Sequence, residues 1–147
     1  PVVIEADYRD TSFTKWKLNT KTADTKYASC RVSYVEPATG ACIEYTAYTE
    51  DYDEDAKTNQ QLELYAKVGS VAEAKTMAEK HLRLHNKFSK MVQFTHTGHV
   101  WYVAGVGIRV KGYGFWNGRY ICTQAKHTIN ENGYTTTVTG RRILEGY

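Results

Sequence analysis

Only one stretch of this 147-residue chain carries a helical repeat, and that limits the fold more than any other feature. Val71, Ala74, Met77, Ala78, His81, Leu82, His85 and Phe88 recur at the spacing of one helix face. Gly69-Ser70 opens the segment, and Ser70 with Glu73 forms an S-x-x-E capping box that satisfies orphan N–H groups of the first turn. The spacing predicts a helix ending near Asn86 or Lys87.

Everything else reads as strand and turn, in a chain with 12 Tyr and only 2 Pro. Val2 to Leu18 alternates loosely and predicts one or two strands, followed by a polar loop or strand end over Asn19 to Thr25. Tyr27–Val35 and Cys42–Tyr48 form a hairpin around Glu36-Pro37-Ala38-Thr39-Gly40. Glu50 to Gln61 reads as a mobile acidic loop and Leu62 to Val68 as a short strand. After the helix come strands over Lys90–Thr97, Val100–Lys111, Arg119–Ile129 and Tyr134–Leu144. Gly105 and Gly107 mark a bulge or close backbone approach in the second of these. Asn117-Gly118 and Asn132-Gly133 open the last two and predict type I′ hairpin turns. The expected fold is α+β: a helix followed by an antiparallel meander, mainly antiparallel sheet curled into a small barrel, with one packed α-helix.

Charge divides the chain. Residues 1–55 hold 6 Lys/Arg against 11 Asp/Glu, and residues 56–147 hold 13 against 5. This predicts an N-terminal part of strands and hairpin over 1–55. A helix-plus-meander part would cover 56–147, within the same compact domain or as a fused second half. No apolar run approaches the roughly 20 residues of a spanning helix, so no membrane is expected as a partner. The chain opens at Pro1 without an initiator Met or a secretory leader, which reads as a fragment of a longer protein. Cys30 and Cys42 either face each other across the hairpin or, as preferred here, stay free and buried with Cys122.

Motifs for chemistry are sparse. His81/His85 and His96/His99 have ligand-like spacing, but zinc needs three or four converging ligands, and no Glu follows His81. Asp51-Tyr-Asp-Glu-Asp55 opens like a calcium loop, yet Ala56 and Leu62 stand where such a loop needs Gly and Glu. Gly105-Val-Gly107 and Gly112-Tyr-Gly114 lack the following helix of a phosphate site. Of the five back-half acids, Glu73 is used in capping and Glu79 lies on the expected exposed helix face, so no catalytic residue, metal or cofactor is expected. Tyr113, Phe115 and Trp116, beside Lys111 and Arg119, form an aromatic and basic loop. Such a loop suits single-strand stacking or, preferred here, a protein interface.

Several ordered segments resemble one family. These are the helix Ser70 to Asn86, the run Val106-Gly-Ile-Arg-Val-Lys-Gly-Tyr-Gly114, the strand Asn117-Gly-Arg-Tyr-Ile-Cys122 and the ending His127 to Val138. Tyr27 to Tyr48 is similar to the family's first hairpin. Together they resemble the carboxy-terminal portion of the late control gene D proteins, the tail baseplate hub group of tailed bacteriophages, with relatives in contractile injection systems. Gly98 to Gly105 departs from the family's pattern before the long strand. The signature positions that carry the resemblance are Gly112, Gly114, Gly118, Tyr120, His127, Gly133 and Tyr134. The glycines sit where turns demand positive φ, Tyr120 and Tyr134 are expected to point inward, and His127 is expected to make a structural hydrogen bond.

The resemblance implies a structural hub protein of a phage or prophage tail, located in the virion tail and assembled in the bacterial cytoplasm. It would bind the central spike and tail tube as a homotrimer, with no nucleic acid bound specifically. The rival readings are a tail-associated cell-wall hydrolase module and a single-strand nucleic-acid-binding β-domain.

Overall fold

The computed structural model describes residues 3–20 and 26–145. Val2 and residues 21–25 of the expected loop or strand end lie outside the described residues, while Asn19 and Thr20 end a strand. The strands are β1 (Val3–Asp7), β2 (Phe13–Thr20), β3 (Ser29–Val35), β4 (Cys42–Tyr48) and β5 (Gln61–Tyr65), then β6 (Lys90–Thr97), β7 (Gly107–Lys111), β8 (Gly118–Asn130) and β9 (Gly133–Arg142). One α-helix, α1 (Val71–Asn86), falls between β5 and β6. The fold is the α+β arrangement expected from the sequence, mostly sheet with one helix. The chain divides into two compact units at 20/21 and 87/88, with a further crossing at 143/144, and not at the 55/56 boundary suggested by charge. The reason is topological: β2 pairs with β6, so everything between them is an insertion.

The first unit is a six-stranded sheet in the order β1-β7-β8-β9-β6-β2, curled into a half-barrel. Only the β1–β7 pair is parallel. The expected consecutive meander holds for β7-β8-β9, but β6 lies beside β9 and not beside β7. Alternation buries one face: Ile4, Ala6, Phe13, Val92, Phe94, Ile108, Val110, Tyr120, Cys122 and Val138 form its core. Each large side chain buried there contributes roughly 1.5–3 kcal/mol. Near the end of β9 stands Gly140, where an added Cβ would meet Ile108 Cδ1 at 2.8 Å. Glycine lets Ile108 fill that space.

Two turn expectations are corrected. Val100–Lys111 is not one strand; only Gly107–Lys111 pairs, and 100–106 folds into successive tight turns. Gly105, at φ +90, brings its N–H to Cys122 O at 2.8 Å, while Cys122 N–H reaches Val106 O, so the chain rejoins the sheet only there. Neither Asn–Gly turn is type I′, because no described non-glycine residue has positive φ. Residues 112–117 form a longer loop with a 3-10 turn at Gly114–Trp116. Between β8 and β9, Asn130 Oδ1 accepts the Asn132 N–H at 2.9 Å. The positive φ there falls on Gly133, the residue after the turn.

The second unit is a three-stranded sheet, β4-β3-β5, with β3 antiparallel to β4 and parallel to β5. Helix α1 packs on it through Ala74, Ala78 and Leu82, against Cys30, Val32, Ala47 and Val68. The buried stripe is narrower than the periodicity implied, since Val71 and His85 are exposed. Its last member is polar: Asn86 is fully buried, accepts the Tyr27 N–H at 3.1 Å and donates to Tyr27 O at 2.7 Å. Ser70 caps the helix by accepting the Glu73 N–H at 3.2 Å. Glu73 reaches back to Gly69 N–H at 2.7 Å, one residue before the usual partner in a capping box.

The three cysteines are free, but only Cys30 and Cys122 are buried. Cys30 pairs in register with Ala47 and Cys42 with Val35, at opposite ends of the hairpin. That separates them by about 17 Å at the usual rise per strand residue. Burial pushes the Cys30 thiol up to about 11.

Candidate functional site

The β7–β8 loop that carries Tyr113, Phe115 and Trp116 is tied down by its own backbone. Asn117 Oδ1 accepts the Tyr113 N–H at 2.7 Å, and Asn117 N–H reaches Gly114 O at 2.9 Å. Tyr120, fully buried below, donates its hydroxyl to Trp116 O at 2.8 Å, and Arg142 Nη1 donates to Asn117 O at 2.9 Å. Desolvation raises the pKa of the Tyr120 phenol, with Arg142 acting the other way, so it stays a neutral donor at ordinary pH.

This anchoring splits the aromatic group. Tyr113 packs into the core, its ring 4.3 Å from Trp16 on β2 and 6.1 Å from Tyr8 just after β1. It therefore bridges the two edge strands of the half-barrel. Trp116 also packs against the core. Phe115 alone is presented, 65% exposed, with Lys90 Nζ 3.6 Å from its ring centroid.

A second apolar surface lies in the turns that were expected to be strand. Val100 and Trp101 are about two-thirds exposed, and Val103 nearly half. Their loop is fixed from below. Gly98 N–H reaches Tyr134 O at 2.8 Å, and His99 N–H reaches the buried Thr136 Oγ1 at 3.1 Å. His99 stacks on Tyr102 at 4.5 Å, and Tyr102 meets His96 edge-on at 5.2 Å. The available sequence signal was an aromatic run enclosed between Gly98 and Gly105, and alternation alone concealed it.

The signature positions are structural in their surroundings. Gly112, Gly114, Gly118 and Gly133 have φ of +81, +56, +140 and +112. At Gly112 an added Cβ would also overlap the Tyr8 ring, so both conformation and space require glycine. His127 Nδ1 lies 2.7 Å from Tyr134 Oη and 3.1 Å from Thr136 Oγ1. His85 lies against Tyr27, and His96 against Phe13. Among the described residues no three His, Cys, Asp or Glu side chains converge as a metal site would require. In the acidic segment Asp51 pairs with Lys26, which together with neighbouring hydrogen bonds outweighs partial burial and lowers its pKa. No helix among the described residues is long and apolar enough to cross a membrane.

No family model and no curated protein matches the sequence. Solved structures do match. A 43 kDa tail protein of prophage MuSo2 from Shewanella oneidensis superimposes with a TM-score of 0.71 at 11% identity, covering 95% of this chain and 44% of that one. A tail protein from Neisseria meningitidis gives 0.66 at 11% identity, covering 95% and 43%. A prophage tail protein from Listeria monocytogenes gives 0.54 at 9% identity, covering 99% and 44%. The chain thus spans less than half the length of these proteins. At such identities the likeness is one of fold, and the fold of this chain is one found in phage and prophage tail proteins.

Proposed function

We propose that this chain is a structural component of a phage or prophage tail, of the late control gene D type. In this reading it is part of the baseplate hub, joining tail tube and central spike through protein–protein contacts, and works without chemistry of its own. The observation that carries the reading is the match over 95% of the chain to two tail proteins at TM-scores of 0.71 and 0.66. The ordered sequence signature from Ser70 to Val138 supports the finer assignment to the hub. Phe115, with the loop that Tyr113 and Trp116 anchor, and the Val100–Trp101–Val103 turn are the surfaces offered to neighbouring subunits. A homotrimer is the expected assembly, and the virion tail, assembled in the bacterial cytoplasm, is its expected location.

The test is compositional. Particles purified on a density gradient should contain the chain at a fixed ratio to the tail tube protein. Its absence from intact particles overturns the reading. Clearing of a cell-wall suspension by the purified chain would instead favour the hydrolase alternative.

A further inference from the structure

The outward face of the six-stranded sheet has a composition that the assembly role does not use. On this face Lys15, Thr95, Thr137 and Lys126 share one cross-strand rung, running β2-β6-β9-β8. The two adjoining rungs add Lys17 and Arg141. The positions of these three rungs hold no acidic and no aromatic side chain; apart from the cations they are Thr, Gln or Asn, with Met91 and Ile121. Thr95 and Thr137 hydroxyls meet at 3.1 Å, and Gln93 Nε2 reaches Thr139 Oγ1 at 3.3 Å, so the hydroxyl and amide groups stand together on this face. A shallow groove of about 250 Å³ runs among Lys15, Lys17, Gln93, Thr95 and Thr137, with Trp16 and Phe94, whose side chains belong to the core, also lining it. Among the described residues no carboxylate pairs with Lys15, Lys17, Lys126 or Arg141; the ion pairs of this sheet gather on Glu5 of β1, with Arg109 and Lys111. The patch covers about 14 Å across the strands at their usual spacing.

We propose that this face binds the sugar–phosphate backbone of duplex DNA without reading sequence. Lys, Arg, Thr and Gln are the side chains that bond phosphate oxygens. No aromatic side chain stands at the rung positions, and Phe94 beside the groove is buried in the core, so the face lacks the stacking platform that single strands require. This composition also sets the face apart from the core of a protein interface, which is rich in aromatics and poor in Lys. The proposal stands on this composition and is independent of the tail assignment.

Fluorescence anisotropy of a labelled 20-base-pair duplex tests it. Neutralising about four phosphates gives a slope of log K against log salt of about −3.6, so affinity falls about 150-fold between 50 and 200 mM salt. The exposed substitutions Lys15→Gln, Lys17→Gln and Lys126→Gln together reduce the slope to about −0.9. Lys75→Gln with Lys80→Gln, on α1 in the other unit, leaves it unchanged. Circular dichroism verifies that each variant keeps its fold. No binding at 50 mM salt, or a triple variant that binds like the wild type, overturns the proposal. So does tighter binding of a single strand of equal length, which means stacking elsewhere. Displacement of the duplex by polyglutamate at equal charge also overturns it and points to an acidic polypeptide as the partner.

Discussion

Replacing Gly98 by Ala tests how the apolar turn is seated. Gly98 follows β6, and its N–H bonds Tyr134 O at 2.8 Å. Its φ lies outside the left-handed region, so alanine meets no backbone penalty. The obstacle is space: an added Cβ would fall inside the Tyr134 ring. That ring stacks on His127 at 5.9 Å, and its hydroxyl lies 2.7 Å from His127 Nδ1. Displacing it costs about 1–3 kcal/mol of overpacking. Losing the hydrogen bond adds about 1 kcal/mol. The expected destabilisation is therefore about 2–4 kcal/mol. All three Trp residues, at 16, 101 and 116, belong to the first unit, so urea unfolding followed by Trp fluorescence reports on it. In a Tyr134→Ala background the ring is gone, and Gly98→Ala should then cost less than about 0.5 kcal/mol, the usual limit of additivity between independent sites. An equal penalty in both backgrounds would refute the packing argument.

Other substitutions separate core from surface. Trp116→Ala should destabilise the first unit by about 2–4 kcal/mol because the indole packs on the core. Phe115→Ala should cost only about 0.5–1 kcal/mol of stability, the loss of an exposed cation–π contact, and should weaken association, read by light scattering. Asn86→Ala removes both bonds to Tyr27 and should cost about 2–4 kcal/mol in thermal unfolding followed by far-ultraviolet circular dichroism, since two backbone groups lose their partners. In the native protein a maleimide at pH 8 should label Cys42 rapidly and spare Cys30, whose folded pKa is raised by burial to about 11. The same shift gives a sign to the pH dependence. The unfolded thiol ionises near its ordinary value of 9.0 and the folded one near 11, so stability falls as pH rises through that window.

Local physics made much of this fold legible. The helix was readable because its cap, Ser70, and its stripe agree, and the β3–β4 hairpin because Gly40 closes it at φ +70. What escaped depends on distant residues. Pairing of β2 with β6 joins residues seventy or more positions apart, and nothing local at Trp16 specifies Phe94 as its partner. Val100 to Val106 has the composition of a strand, yet Gly105 turns its N–H toward Cys122 and excludes it from the ladder. The sequence marks the aromatic loop as a unit, but which of its rings faces solvent is decided by Trp16 and Tyr8, far away in sequence. The basic face was hidden for a similar reason. Its cations come from β2, β8 and β9, and only the register aligns them.

The proposed role puts the chain at the hub end of a tail. Gold-labelled antibody against it, imaged by electron microscopy on purified particles, tests that role most directly. The account predicts gold at the distal tip of the tail, at the junction of tube and spike. Gold on the head or along the tube, with the tip unlabelled, would contradict it.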